Sequence, residues 1–330
     1  MKSVSTYFYR SGQVESVHKI KVLVKNIDNK TIFTTGNEND LIYPRSSVKI
    51  FQAIPFIESN AVDNFKLSSK IIALSCSSHK GEEFHIKELL NWLKKIRLNK
   101  NNLKCGCHNP LNFKASEKLQ RSRKKINELH NNCSGKHLAM LSSCLMNNYS
   151  IKDYLNFNHP HQIKIREIFE KFSETKFKKI NFGIDGCSAP QYSFKLENIS
   201  KLLINLIKSY KNNYDNSNEI KLLINSIIRN PEYIGGSDSL DTTIMKICKK
   251  RIFCKSGAEG VFLFVDLARD IVGIIKVEDG NERAIPSVIF KLLKKLSIIN
   301  SKEQSEFEKV YNFKLFNHAN IEVGSIKTAI

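Results

Sequence analysis

No apolar run in this chain approaches the roughly 18 residues that a membrane-spanning helix needs. The opening MKSVSTYFYRSGQVES lacks the apolar core of a signal peptide. There is no C-x-x-C pair, no linker rich in Gly, Pro or Ser, no internal repeat and no long low-complexity tract. These absences argue against a membrane span, a solenoid and a tethered multidomain chain. They lead to the expectation of a cytoplasmic protein. Its cysteines, Cys76, Cys105, Cys107, Cys133, Cys144, Cys187, Cys248 and Cys254, are then reduced thiols. Most thiols of that kind are small buried hydrophobes, and a minority bind metal.

What is present is ordinary globular composition. The chain is 41% hydrophobic and 25% charged over 330 residues, enough for one large domain or two intimate ones. A net charge of +20 draws attention to nucleic acid and anionic membranes. The lysines are scattered, however, through a chain rich in Asn, Ile and Lys, so the charge reads as compositional bias and not as a binding stripe.

The hydrophobic pattern divides the chain into three stretches. The first 45 residues read as β, with ESVHKIKVLVKN and KTIFTT alternating on either side of the turn-like IDN. A helix is expected from Ser46 to about Asn60, kinked at Pro55. The middle reads as helical: EEFHIKELLNWLKKIRL places Phe84, Leu89, Leu90, Leu93 and Ile96 near helical spacing. SGKHLAMLSSCLMNN, HQIKIREIFEKF, ISKLLINLIKS and EIKLLINSIIRN follow suit. The last third returns to strands in RIFCKSG and GVFLFVDLARDIVGIIKVED, then a helix, ERAIPSVIFKLLKKLS, and an extended tail. The expected fold class is therefore α/β, with one mixed sheet built from the N- and C-terminal segments around a helical middle. The expected division is 1–60 with 230–330 as an α/β domain and 61–229 as a mainly helical domain, together one compact unit.

The chemistry begins at YPRSSVKIFQ. A helix starting here brings Ser46 and Lys49, at i and i+3, onto one face. A hydroxyl beside an amine is a nucleophile with its base, although a serine cap on a solvated helix start gives the same spacing. FCKSGAEG supplies the second half, placing Lys255 and Ser256 before Gly257 at a strand end. Serine acyl-transfer enzymes of the penicillin-recognising type combine S-x-x-K at a helix start with K-[ST]-G on a strand. Serine is a poor nucleophile without a base, and lysine serves only when neutral, a state that burial and a second cation such as Lys255 favour. Ser78 in SCSSHKGE is a candidate proton relay. The competing reading makes it the N-cap of a helix starting near Glu82.

YPRSSVKIFQAIP, ALSCSSHKGE, HNNCSGKHLAML, GIDGCSAP and KSGAEG stand in the order seen in the Rhizobium etli type of L-asparaginase, the asparaginase II family, which the chain resembles over nearly its whole length. NNCSGKHLAML is the most specific block. The resemblance implies a serine β-lactamase/glutaminase-like fold and hydrolysis of L-asparagine to L-aspartate and ammonia. It assigns Ser46 as nucleophile, Lys49 as base, Ser78 as second active-site serine and Lys255 as the lysine arriving from the strand. It also implies a Zn2+ ion, held by Cys133, Lys136 and Cys187 and positioning substrate more than reacting, with the acidic Asp185 beside it. On charge, Arg45 suits the substrate α-carboxylate and Asp185 its α-ammonium. The backbone N–H of Ser46 and one from GAEG are the expected oxyanion donors. Lys80 and Ile50 depart from the family pattern, where a small residue and a proline are usual; neither departure removes a reacting group.

The metal triad has its own physical reading. Cys133 and Lys136 lie at i and i+3 of a helix start and face one point. Cys187 comes from a loop where Gly186 and Pro190 permit an unusual path. Two thiolates suit zinc, whereas a lysine ligand is rare and requires a neutral amine. His130 and His137 are alternative ligands, and His137 reads better as a core or surface histidine. The expected partners are small-molecule L-asparagine and a second copy in a homodimer, with neither nucleic acid nor membrane. Rival activities for the same Ser/Lys machinery are glutaminase, DD-peptidase and β-lactamase. From another class, a basic zinc-containing nucleic-acid-binding protein would tolerate loss of Ser46.

Overall fold

Two apolar-polar alternations, VSTYFYR and QVESVHKIKVLVKN, form the strands β1 (Val4–Arg10) and β2 (Gln13–Asn26). Ser11 and Gly12 join them with φ of 47° and 83°, the left-handed pair that a two-residue hairpin turn requires. The computed structural model describes residues 3–178, 181–249 and 251–330. Its residues fall into two units. The first comprises Met1–Ser47, Phe194–Ile204 and Thr243–Ile330, the second Val48–Ser193 and Asn205–Thr242.

The first unit is built on an eight-stranded sheet. Added to β1 and β2 are β3 (Thr31–Thr35), β4 (Ile252–Gly257), β5 (Val261–Asp266), β6 (Ile271–Val277), β7 (Lys314–Phe316) and β8 (Glu322–Ala329). The order is β7-β8-β1-β2-β6-β5-β4, with β3 also paired to β2. The chain's two ends do meet in one sheet of an α/β protein, as the pattern predicts, and every ladder in it is antiparallel. β5 is buried along its whole length, which explains why VFLFVD reads as a continuous apolar run. The helix Ile285–Lys295 buries Ile285, Val288, Ile289, Leu292 and Leu293 and packs on β8, β1 and β6.

The second unit is helical, with Ser69–Ser75, Glu83–Lys95, Ser134–Met146, Pro160–Ser173 and Ser217–Arg229 as main elements. The continuous helix expected from Ser46 to Asn60 is instead a 3-10 turn, Arg45–Val48, followed by the short pieces Lys49–Gln52 and Ile54–Glu58. Pro55 is the second residue of the last piece, in the first turn, where its missing N–H has no intrahelical partner to lose, and so it breaks the helix instead of kinking it. The chain passes from one unit to the other at 47/48, 193/194, 204/205 and 242/243. The reason is packing. Phe51 rests on Phe169 and Phe172, and Phe56 on Trp92, so residues 48–60 join the helices. Likewise, Ile234 accepts the backbone N–H of Ser78 and ties residues 230–242 to them. Among the described residues no helix is long and apolar enough to cross a membrane.

Candidate active site

In the second unit a lysine amine lies inside the protein. Lys49 is 1% exposed. Its Nζ donates to the Ser77 carbonyl, to Ser78 Oγ at 3.0 Å and to Cys133 Sγ at 3.2 Å. These contacts to a carbonyl, a hydroxyl and a sulfur are how a buried amine is tolerated. Ser78 follows the helix Ser69–Ser75, capped by Ser68, and its own N–H is held by Ile234 O at 2.8 Å. The helix starting at Glu83 is capped by Glu82 with His85 closing a capping box, so Ser78 is not its N-cap.

Cys133 is set by a local turn. Its N–H donates to Asn131 Oδ1 at 2.8 Å, while Asn131 Nδ2 donates to Cys105 O at 2.8 Å. Asn131 was not singled out from the sequence; an Asn two residues before a chemically active Cys is the signal that reveals it. Gly135, also overlooked, lets the helix Ser134–Met146 approach the one before Ser78, because a Cβ there would strike Leu74 O. Lys136, 2% exposed, donates to Cys187 Sγ at 3.1 Å. Asp185 Oδ2 lies 3.8 Å from the same sulfur. The loop path at Cys187 does not depend on Gly186: Ser188 takes the left-handed conformation, φ 67°, and its N–H meets Asp185 O at 2.8 Å.

The electrostatics of this cluster are those of an internal ion pair. The hydrogen bond from Cys133, reinforced by Lys136, holds the Cys187 thiol far below its ordinary value. The same hydrogen bond and burial push Cys133 up. Burial opposes the charge on Lys136, but Cys187, Cys133 and Asp185 together outweigh it and raise its pKa. Cys105, buried beside the cluster, is pushed up to about 12 by burial, whereas Cys107 is exposed. His130 Nδ1 accepts the Asn127 N–H at 3.1 Å, a capping contact. Among the described residues no three His, Cys, Asp or Glu side chains converge as a metal cluster. The expected triad contains only two such side chains, its third being lysine.

The first unit holds the remaining candidates. Arg45 has φ 53° directly before Ser46, and its guanidinium stands 3.9 Å from Glu259. Ser47 Oγ donates to Pro44 O at 2.6 Å, closing the turn that carries half-buried Ser46. β4 delivers Lys255, 2% exposed, whose Nζ donates to Ser256 O at 3.2 Å. A Cβ on Gly257 would collide with Pro44 O and lie 3.2 Å from Ser47 N. The KSG strand end therefore abuts the Ser46 turn, and Gly257 is glycine because the backbones touch. Ser46, Arg45 and Lys255 belong to this unit; Lys49, Ser78, Cys133, Lys136, Asp185 and Cys187 belong to the other.

Fold and side chains together define a class: an α/β protein with a buried amine on a serine hydroxyl, the arrangement that acyl-transfer chemistry uses. The family model of L-asparaginase II matches residues 6–328. The chain belongs to the L-asparaginase II family, and the family makes it a hydrolase acting on amides. Among solved structures, it is similar to a candidate beta-lactamase from Bacteroides dorei, at 10% identity and a TM-score of 0.40, covering 83% of this chain and 93% of that one. No curated protein matches it in sequence.

Proposed function

We propose that the chain is an L-asparaginase of the Rhizobium etli type, hydrolysing L-asparagine to L-aspartate and ammonia. The observation that carries the reading is the 3.0 Å hydrogen bond from the buried Lys49 amine to Ser78 Oγ, in a chain matched by the L-asparaginase II family. Ser46 Oγ attacks the side-chain amide carbon and gives up its proton to Lys49. The C–N bond breaks as Ser78 gives its proton to the departing nitrogen and takes up the one Lys49 holds 3.0 Å away, and the nitrogen leaves as ammonia. Water then attacks the acyl-serine ester, and aspartate is released with Ser46 regenerated. Lys255 contributes positive charge near the nucleophile. Arg45 takes the α-carboxylate and Asp185 the α-ammonium. Backbone N–H groups of Ser46 and the GAEG stretch receive the oxyanion.

The residues present suit a zinc ion. Two buried thiols and an amine form the donor set, with Lys136 Nζ 3.1 Å from Cys187 Sγ, and coordination would require that amine to give up its proton. Cys133, Lys136 and Cys187 would hold the ion. Zinc would supply a fixed positive charge and rigidity. The chain acts on a small molecule inside the cytoplasm as a homodimer in this reading. An ammonia-release assay with asparagine, glutamine and a β-lactam tests it. Turnover of asparagine above the other two is expected; release from glutamine or opening of the β-lactam alone would overturn it.

A further inference from the structure

The backbone of Ser78 is held by a segment more than 150 positions away: its N–H donates to Ile234 O at 2.8 Å. Residues 232–238, which carry that carbonyl, lie along the turn that follows Ser78 and are tied to it at three further points. His85 Nδ1 accepts the Glu82 N–H at 3.2 Å, so the ring proton sits on Nε2, which donates to Glu232 O at 3.0 Å. Glu82 takes both donors of Ser237, the backbone N–H on Oε1 at 2.8 Å and the hydroxyl on Oε2 at 2.6 Å. Lys80 donates to Asp238 Oδ1 at 2.7 Å. Between these ties Gly236 runs at φ 145°, and a Cβ there would lie 2.9 Å from Glu82 Oε1. Only glycine lets the backbone lie against that carboxylate. The ties are unequal. The Lys80–Asp238 pair faces solvent, where such pairs are worth little. Glu82 makes two charge-assisted bonds to one residue, the strong kind.

We infer that Glu82 is a positioning residue for Ser78: its carboxylate fixes the 232–238 strap, and the strap, through the Ile234 carbonyl, sets the backbone from which Ser78 Oγ meets Lys49 Nζ. Glu82 then does two things. It caps the helix Glu83–Lys95, and it holds a serine four positions upstream by way of a segment from the far side of the sequence. The kinetic consequence rests on the proposed reading of Ser78 as the relay; the hold on its backbone does not.

Glu82→Ser separates the two roles, because serine is a good N-cap but too short to reach Ser237. Residue-resolved hydrogen exchange reads the hold directly. The Ser78 amide should exchange at least about tenfold faster in Glu82→Ser, while the amides of Glu83–Lys95 keep their protection. With asparagine, kcat should fall ~10–100-fold and KM change little, as expected for a displaced reacting group. Glu82→Gln, which keeps one acceptor oxygen, should recover part of both losses. Ser237→Ala leaves the cap untouched and should move both readouts the same way by less, so the test survives a Glu82 variant that fails to fold. In a Ser78→Ala background, Glu82→Ser should cost no further turnover. An unchanged Ser78 amide in Glu82→Ser and Ser237→Ala would overturn the inference, as would an equal kcat loss with and without Ser78. A parent protein that releases no ammonia from asparagine, yet shows the faster Ser78 exchange, removes the asparaginase reading and leaves the hold of Glu82 on Ser78 standing.

Discussion

The Nζ of Lys49 reaches Ser78 Oγ across 3.0 Å and Cys133 Sγ across 3.2 Å, so a single buried amine ties the candidate relay serine to the thiol cluster. Lys49 therefore has two functions to lose. Lys49→Met keeps the volume of the side chain and deletes the amine. Turnover should fall by at least about 10³, the scale on which groups acting as a unit respond. Thermal stability should hold or rise, because an apolar isostere replaces a buried polar amine. Circular dichroism with an ammonia assay checks both; retention of a tenth of the activity would sink the assignment.

Ser46→Ala should lower turnover by about 10³–10⁶ and leave the fold intact. Ser78→Ala should cost less, about 10²–10⁴, since it loses one proton-transfer step and not the nucleophile. Rapid-quench trapping separates the two. An acyl-enzyme should still accumulate to some level in Ser78→Ala and never in Ser46→Ala. A burst of ammonia from Ser46→Ala contradicts the mechanism.

Gly257→Ala tests the abutment of the KSG strand on the Ser46 turn. The new Cβ meets Pro44 O and Ser47 N, so the turn must move. Overpacking of this kind costs ~1–3 kcal/mol, and the displaced Ser46 should cost more than tenfold in kcat with KM less affected. A Gly257→Ala variant with parental kinetics and melting would show that the two backbones are not held together in solution.

Much of this was legible in the sequence because periodicity reports burial. VFLFVD and IVGIIKV form strands as read, and SGKHLAML forms a helix. What was not legible depends on tertiary context. The helix Phe113–Arg121 has no buried residue and hence no apolar stripe to announce it. The helix expected across Pro55 breaks at Ala53, the cap shared by two short pieces, because Pro55 sits in the first turn of the second. In the site, spacing suggested Cys133 and Lys136 together. The Lys49–Cys133 contact spans 84 residues and leaves no local trace. His137 reads as a core or surface histidine and lies in the core, and its Tyr154 partner, 17 positions on, appears only in three dimensions.

Protein purified without chelator should carry about one tightly bound zinc per chain, as structural sites of thiolate donors do. Stripping it should raise KM more than it lowers kcat, the signature of lost uniform binding. Cys133→Ser should mimic stripping. Elemental analysis decides: zinc well below one equivalent in the parent, and unchanged by Cys187→Ser, would leave these residues as packing.

The final prediction concerns acid sensitivity. His161 is fully buried, and neither ring nitrogen has a hydrogen-bond partner among the described residues. Burial lowers its pKa from 6.5 to about 3, and burial lowers that of His85 to about 4. Both rings stay neutral in the folded protein under conditions where the unfolded chain protonates them. The unfolded state thus binds more protons below pH 6.5, and stability falls as pH drops from there toward the folded values. Each such ring contributes a slope of up to ~1.4 kcal/mol per pH unit. His161→Phe removes one of these slopes and replaces an unpaired imidazole, whose burial costs ~1–3 kcal/mol, with a ring of similar size. The variant should melt higher at neutral pH, and its margin over the parent should widen between pH 6.5 and pH 4. Calorimetry across that window checks the claim. A lower melting temperature for His161→Phe at pH 7 would mean that the imidazole is satisfied by an internal water and is worth more than the phenyl that replaces it.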